Sequence, residues 1–178
     1  MIATARQVVD FWREAGPEKW FEKNDAFDTV FRERFIETHQ AAARGDLDAW
    51  LESAEGSLAL LILLDQFPRN CFRNTTRMYA TDPHALRIAR EAVAAGHDRK
   101  FDGPIRVFFY LPFAHSEDIA DQETAVQHAA YDEEFVKHAR RHRDIIEKFG
   151  RFPHRNPILG RDMTPEEQAY LDGGGFAG

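Results

Sequence analysis

A chain of 178 residues, 43% hydrophobic and 30% charged, is long enough to bury roughly two-thirds of its unfolded surface as one domain, and that composition excludes a disordered polymer. The formal net charge of −7 opposes nonspecific attraction to nucleic acid or anionic lipid, where the phosphate contribution demands a basic surface. Cys71 is the only cysteine, so an intramolecular disulfide is excluded. With no leader-like N-terminus and no apolar run longer than Leu58–Leu64, the expected setting is the cytoplasm, neither exported nor membrane-spanning.

Apolar spacing from Ile2 through Ala5, Val8, Val9, Phe11 and Trp12 predicts a first amphipathic helix, stopped near Gly16-Pro17. A second follows, capped by Asn24 or Asp25, with the stripe Phe27, Val30, Phe31, Phe35 and Thr38 and a stop before Gly45. Asp46–Leu51 reads as a short helical turn. Leu58–Leu64 reads as a helix apolar on all sides, hence central, ended by Pro68 with a loop over Phe67-Pro68-Arg69-Asn70 in which Asn70 bonds local backbone. Asp82 is expected to cap a helix from Pro83 to Ala95 before Gly96. Ile105–Leu111 suits strand by residue type, but no partner strand is visible, so helix is expected there. Ser116 is expected to cap the next helix with Glu117 and Asp118 in its first turn, and Asp132 to cap the last long one. Thr164-Pro165-Glu166-Glu167 has capping-box spacing, and Gly173–Gly175 ends the ordered chain, leaving 173–178 as a flexible tail. The expected fold is a single all-α domain, residues 1–178, of antiparallel helix hairpins.

Three polar segments stand out: Asp65–Arg73, His115–Gln122 and His142–Asn156. Phe135, His138, His142, Ile145, Ile146 and Phe149 fall on one helical face, so two histidines interrupt an apolar stripe and a polar group should face them. His138 and His142 also have the four-residue separation that can place two imidazoles on one metal, with His115, Glu117 and Asp118 as further donors for zinc, iron or manganese. The competing reading is an acid/base and anion-binding pocket. Arg69, Arg151 and Arg155 would be its cations, His115, Glu117, His142 and His154 its titrating groups, and Asn70, Asp118, Gln122 and Asn156 its polar lining. Asp65, placed directly after the leucine run, needs a cation, with Arg69 and Arg155 as candidates. Cys71, beside Phe72 with no adjacent base, reads as a packed thiol.

These stretches carry a family resemblance. Leu63-Leu-Asp-Gln-Phe-Pro-Arg-Asn70, Phe108-Phe-Tyr-Leu-Pro112, His115-Ser-Glu-Asp118 with Gln122, His142-Arg-Asp-Ile-Ile146 and Phe149-Gly-Arg-Phe-Pro-His-Arg-Asn156 are ordered as in the bacterial family called domain of unknown function 924. Leu159-Gly-Arg161, Thr164-Pro-Glu-Glu167, Val9-Asp-Phe-Trp12, Trp20-Phe21 and Phe27-Asp28 fit it too, so the resemblance spans nearly the whole chain. It departs at Asn74, where the family pattern has Gly. The resemblance implies a helical fold grouped with tetratricopeptide-like domains, although the chain lacks recognisable repeats, and it assigns no activity. Two functions follow as expectations. One is a small-molecule enzyme or binding domain for an anionic ligand; the other is a helical scaffold for a protein partner, with buried ion pairs serving structure.

Overall fold

The computed structural model describes residues 1–178, in which eleven α-helices and intervening 3-10 turns form an all-α fold without strands. The chain folds as two compact units, residues 1–73 with 77–112 and residues 74–76 with 113–178. None of the helices is long and apolar enough to cross a membrane.

The first unit is built by local signals around an aromatic core. Helix α1 (Ala5–Ala15) opens on a capping box in which the Thr4 hydroxyl accepts from the Gln7 N–H and the Gln7 side chain accepts from the Thr4 N–H. Ile2, expected in its stripe, lies outside the helix and is exposed. Gly16, at φ 76°, breaks the chain into the short α2 (Pro17–Trp20), and Asn24 caps α3 (Asp25–Ala43). Phe11, Trp12, Trp20, Phe31, Phe35 and Phe67 are buried, and Phe31 meets Phe67 edge-on at 5.0 Å between centroids. Val30, expected on the core stripe, is 51% exposed; the buried rows of α3 run through Phe31, Phe35, Thr38 and His39.

Helix α4 (Ala54–Leu61) is buried from Gly56 onward, as its uniform apolarity requires. A Cβ on Gly56 would overlap the carbonyl oxygen of Trp50 and lie 2.8 Å from its carbon. Gly56→Ala should therefore cost about 2–3 kcal/mol in urea unfolding; parental stability would mean that α4 can move away from the 3-10 turn Asp48–Glu52 at little expense.

Pro68 does not end this helix. The chain continues through a π turn (Ile62–Gln66) into α5 (Phe67–Cys71), so the loop expected over Phe67–Asn70 is helical. Proline lacks an N–H and its ring crowds the carbonyl four residues back, and a widened turn accommodates both defects. Side chains take the released carbonyls: Thr81 Oγ1 donates to Leu64 O at 2.6 Å, Arg69 Nη1 donates to Asp65 O at 2.9 Å, and His39 Nδ1 contacts Leu63 O at 2.9 Å. Helix α6 (Asp82–Ala94) follows, stopped by left-handed Gly96. Thr81 occupies its cap position, and Asp82, expected as the cap, instead turns its carboxylate to Arg69. The aromatic run Pro104–Phe109 is helical but of 3-10 form.

The short α7 (Leu111–Ala114) leads into the second unit, made of α8 (Ile119–His128), α9 (Glu133–Phe149), α10 (Asn156–Leu159) and α11 (Pro165–Asp172). Asp132 caps α9 as expected. Asp118, not Ser116, caps α8, which leaves Glu117 outside the helix with its carboxylate available for other contacts. Asn74 adopts φ 60°, the only non-glycine residue in the left-handed region.

Candidate functional site

In the first unit, Asp65 and Arg69 belong to one part-buried polar cluster and Asn70 to another. Asp65 Oδ1 lies 3.2 Å from Arg69 Nη1 and its Oδ2 accepts from Gln66 at 2.6 Å. Arg69 also forks onto both oxygens of Asp82 at 2.8 and 2.9 Å. Asn70, expected to bond local backbone, donates instead to Asp28 Oδ1 at 2.7 Å, and Arg73 holds the other oxygen of Asp28. Burial pushes the Cys71 thiol up to about 12, aided by Asp28, consistent with a packed and unreactive group.

In the second unit the expected residues separate into two groups. One is a chain of charged hydrogen bonds. Glu117 accepts the Phe152 N–H at 2.8 Å and a two-pronged guanidinium from Arg161 at 2.7 and 3.0 Å. Arg161 donates onward to Asn156 Oδ1 at 2.8 Å, and Asn156 Nδ2 donates to Glu167 Oε2 at 3.2 Å. Arg151 closes the chain on both oxygens of Glu167, at 2.6 and 2.8 Å. Burial works to raise the Glu117 carboxyl, but the bonds from Arg161 and Phe152 and the charges of Arg161 and Arg155 outweigh it and hold the group below its ordinary value. The Arg151 hydrogen bonds, against the burial cost, hold Glu167 down at about 2. Glu167 carries a double duty, since it also closes the capping box of α11 with Thr164. Glu117, Arg151 and Asn156 thus hold together the loop between α9 and α11. Asp118 is spent on the α8 cap, and buried Gln122 donates to the carbonyls of Ala114 and Ser116.

The other group gathers around His142. This imidazole lies on the inner face of α9 beside buried Ile145 and Ile146, edge-on to Phe152 at 5.5 Å and tilted against Phe176 at 4.8 Å. The His115 ring is 6.4 Å away, His154 packs edge-on against Phe176 at 5.1 Å, and the Arg155 guanidinium lies 4.4 Å over the Phe152 ring. The Nδ1 atom of His142 is enclosed without a hydrogen-bond partner. Burial, then the charges of His115, Arg155, His138 and His154, push His142 down to about 3. It is therefore a neutral imidazole among groups that carry or can take positive charge. His138, expected on the same buried stripe, is exposed, whereas Ala139 beside it is buried. No set of three or more His, Cys, Asp or Glu stands in metal-holding geometry.

Three residues of the second unit's arrangements were not singled out by sequence as site residues: Arg161, Glu167 and Phe176. Glu167 was legible only as a cap. Phe176 had one signal, a lone aromatic in a glycine-rich tail.

Fold and site define an all-α protein whose second unit carries a histidine and arginine cluster beside a clamped loop. The chain belongs to the bacterial family of unknown function DUF924, whose family model matches residues 8–175. It is similar to a solved protein of unknown function from Agrobacterium tumefaciens, with 58% identity and a TM-score of 0.93 over 95% of this chain and 97% of that one. No curated protein matches it.

Proposed function

We propose that the second unit binds a small anion, a carboxylate or a phosphate monoester, at His142, with Arg155 orienting it and His115 and His154 available for proton transfer. The observation that carries this reading is the enclosed, unpartnered Nδ1 of His142 in a cationic surrounding. A buried polar atom without a partner is costly, and an anion brought against it meets positive charge together with a hydrogen-bond donor once Nδ1 carries the ring proton. The bound charge would also raise the His142 pKa from its depressed value toward neutrality, where an imidazole can act as general acid or base. Phe176 covers this ring, so a ligand reaching it moves that side chain. The Glu117–Arg161–Asn156–Glu167–Arg151 chain favours the structural reading for its own members, since every one of them already has its partner within the clamp.

The test is thermal unfolding and histidine NMR at near-neutral pH with inorganic phosphate and with succinate as probes. We expect a rise in melting temperature with at least one probe and a shift of the His142 resonances, loss of the stabilisation in His142→Leu, and loss of both responses in Arg155→Gln. Phe176→Ala should strengthen the response. If neither probe stabilises the protein or moves a His142 resonance, the anion site does not exist.

A further inference from the structure

Helix α9 turns a second face outward, and there the second unit has an open groove of about 460 Å³. Its floor is apolar, made by Ile145 and by Phe149 and Tyr170, which pack together at 5.1 Å. Its rim is cationic: Lys137, Arg140, Arg141 and Lys148, with Asp144 as the one acid. Asp144 is engaged by Arg143 and Lys137 by Glu134. Arg140, Arg141 and Lys148 pair with no carboxylate; Arg141 lies 5.2 Å over Phe176, and Lys148 lies 4.9 Å over Phe149. On a chain of net charge −7, three such cations around an apolar floor are a local excess facing the overall charge.

The spacing narrows the ligand class. At 1.5 Å per residue, Arg140 and Lys148 stand about 12 Å apart along α9, farther than one phosphate or carboxylate can bridge. The partner must therefore carry several anions in a row. All five charged rim residues are exposed, so a small molecule would leave most of its surface in water, whereas an extended or helical segment gains area along the groove. A bare polyphosphate would leave the apolar floor unused. We propose that this groove docks an acidic peptide segment that carries large apolar side chains between its carboxylates, the complement of a cationic rim over Ile145, Phe149 and Tyr170.

The experiment is fluorescence anisotropy of the full chain with a labelled synthetic peptide of about twelve residues, Glu-rich with Leu and Phe at helical spacing. Binding is expected in the micromolar range, weakened about tenfold or more by raising salt from about 50 to about 300 mM, since the pairs are exposed. A similar loss is expected when the Leu and Phe of the peptide become Ser, and in the double variant Arg140→Glu with Lys148→Glu, both surface changes whose folding is checked by circular dichroism. His142→Leu should bind the peptide normally, which separates this groove from the anion site. The proposal is overturned if the peptide does not bind, if the double variant binds it unchanged, or if a single-stranded oligonucleotide of equal charge binds more tightly.

Discussion

Replacing Arg69 by Ala should destabilise the protein by about 3–5 kcal/mol, because it leaves two carboxylates without the cation they share. Asp65 is 2% exposed and the Arg69 side chain 13%, so water does little to screen the loss. Burial opposes the charge on Arg69, but Asp65 and Asp82 together outweigh it and keep the guanidinium firmly protonated. The same side chain bonds the carbonyl of Asp65 inside the π turn, so the truncation also frees a backbone acceptor at the weakest point of the helix. Arg69→Lys should recover only part of the stability, since an ammonium cannot fork onto Asp82 while reaching Asp65. For a chain of this size the alanine variant should melt roughly 10 °C lower. Urea unfolding of both variants checks the claim, and a loss under about 1 kcal/mol for Arg69→Ala would show that the network is solvated and contributes little.

The second large effect is expected in acid. Unfolded, His142 takes up a proton at its ordinary value of 6.5; folded, it does so only near 3. Between those values the unfolded chain binds the extra proton, so this contribution to stability is complete above pH 6.5 and declines as pH falls toward 3, by up to about 1.4 kcal/mol per pH unit. His39 is lowered by burial, partly countered by its bond to Leu63 and reinforced by Arg77, and it adds a loss of the same sign. Glu117 and Glu167 act further down: their folded values are depressed, so their stabilisation stays in place above the ordinary 4.5 and is lost as pH falls through the folded values. The interval from 6.5 to 4.5 therefore belongs to the histidines. His142→Leu should flatten the slope of unfolding free energy against pH in that interval, and saturating phosphate should flatten it in the parent by raising the folded pKa. A slope unchanged by His142→Leu would mean that the imidazole titrates freely and that its enclosure has no energetic consequence.

The helical class and most helix ends were legible in the amino-acid sequence alone because their causes lie within a few residues. Asn24, Asp132 and Thr164 with Glu167 cap the helices expected of them, and Gly16 and Gly96 stop theirs, while the Thr4–Gln7 box and the Gly150 stop are equally local signals that the apolar spacing left unnamed. The family pattern was equally local, and the match over residues 8–175 bears it out. Where two local signals competed, packing chose: Pro68 stays within a helix because His39 and Thr81 reach the carbonyls it frees, and Asp118 rather than Ser116 caps α8 while Glu117 turns to Arg161.

Partners at long range were decided by the tertiary structure alone. The chain offers 23 Lys and Arg against 30 Asp and Glu, so charge by itself leaves each arginine many equivalent carboxylates. Apposition selects Asp82 for Arg69, Asp28 for Arg73 and Glu167 for Arg151. The same holds for burial along α9. Helical spacing put His138 and His142 on one stripe, but only the course of the neighbouring chain leaves the first in water and seals the second beneath Phe152 and Phe176. Spacing along a helix fixes direction; how much of that direction meets solvent depends on surfaces that come from elsewhere in the sequence.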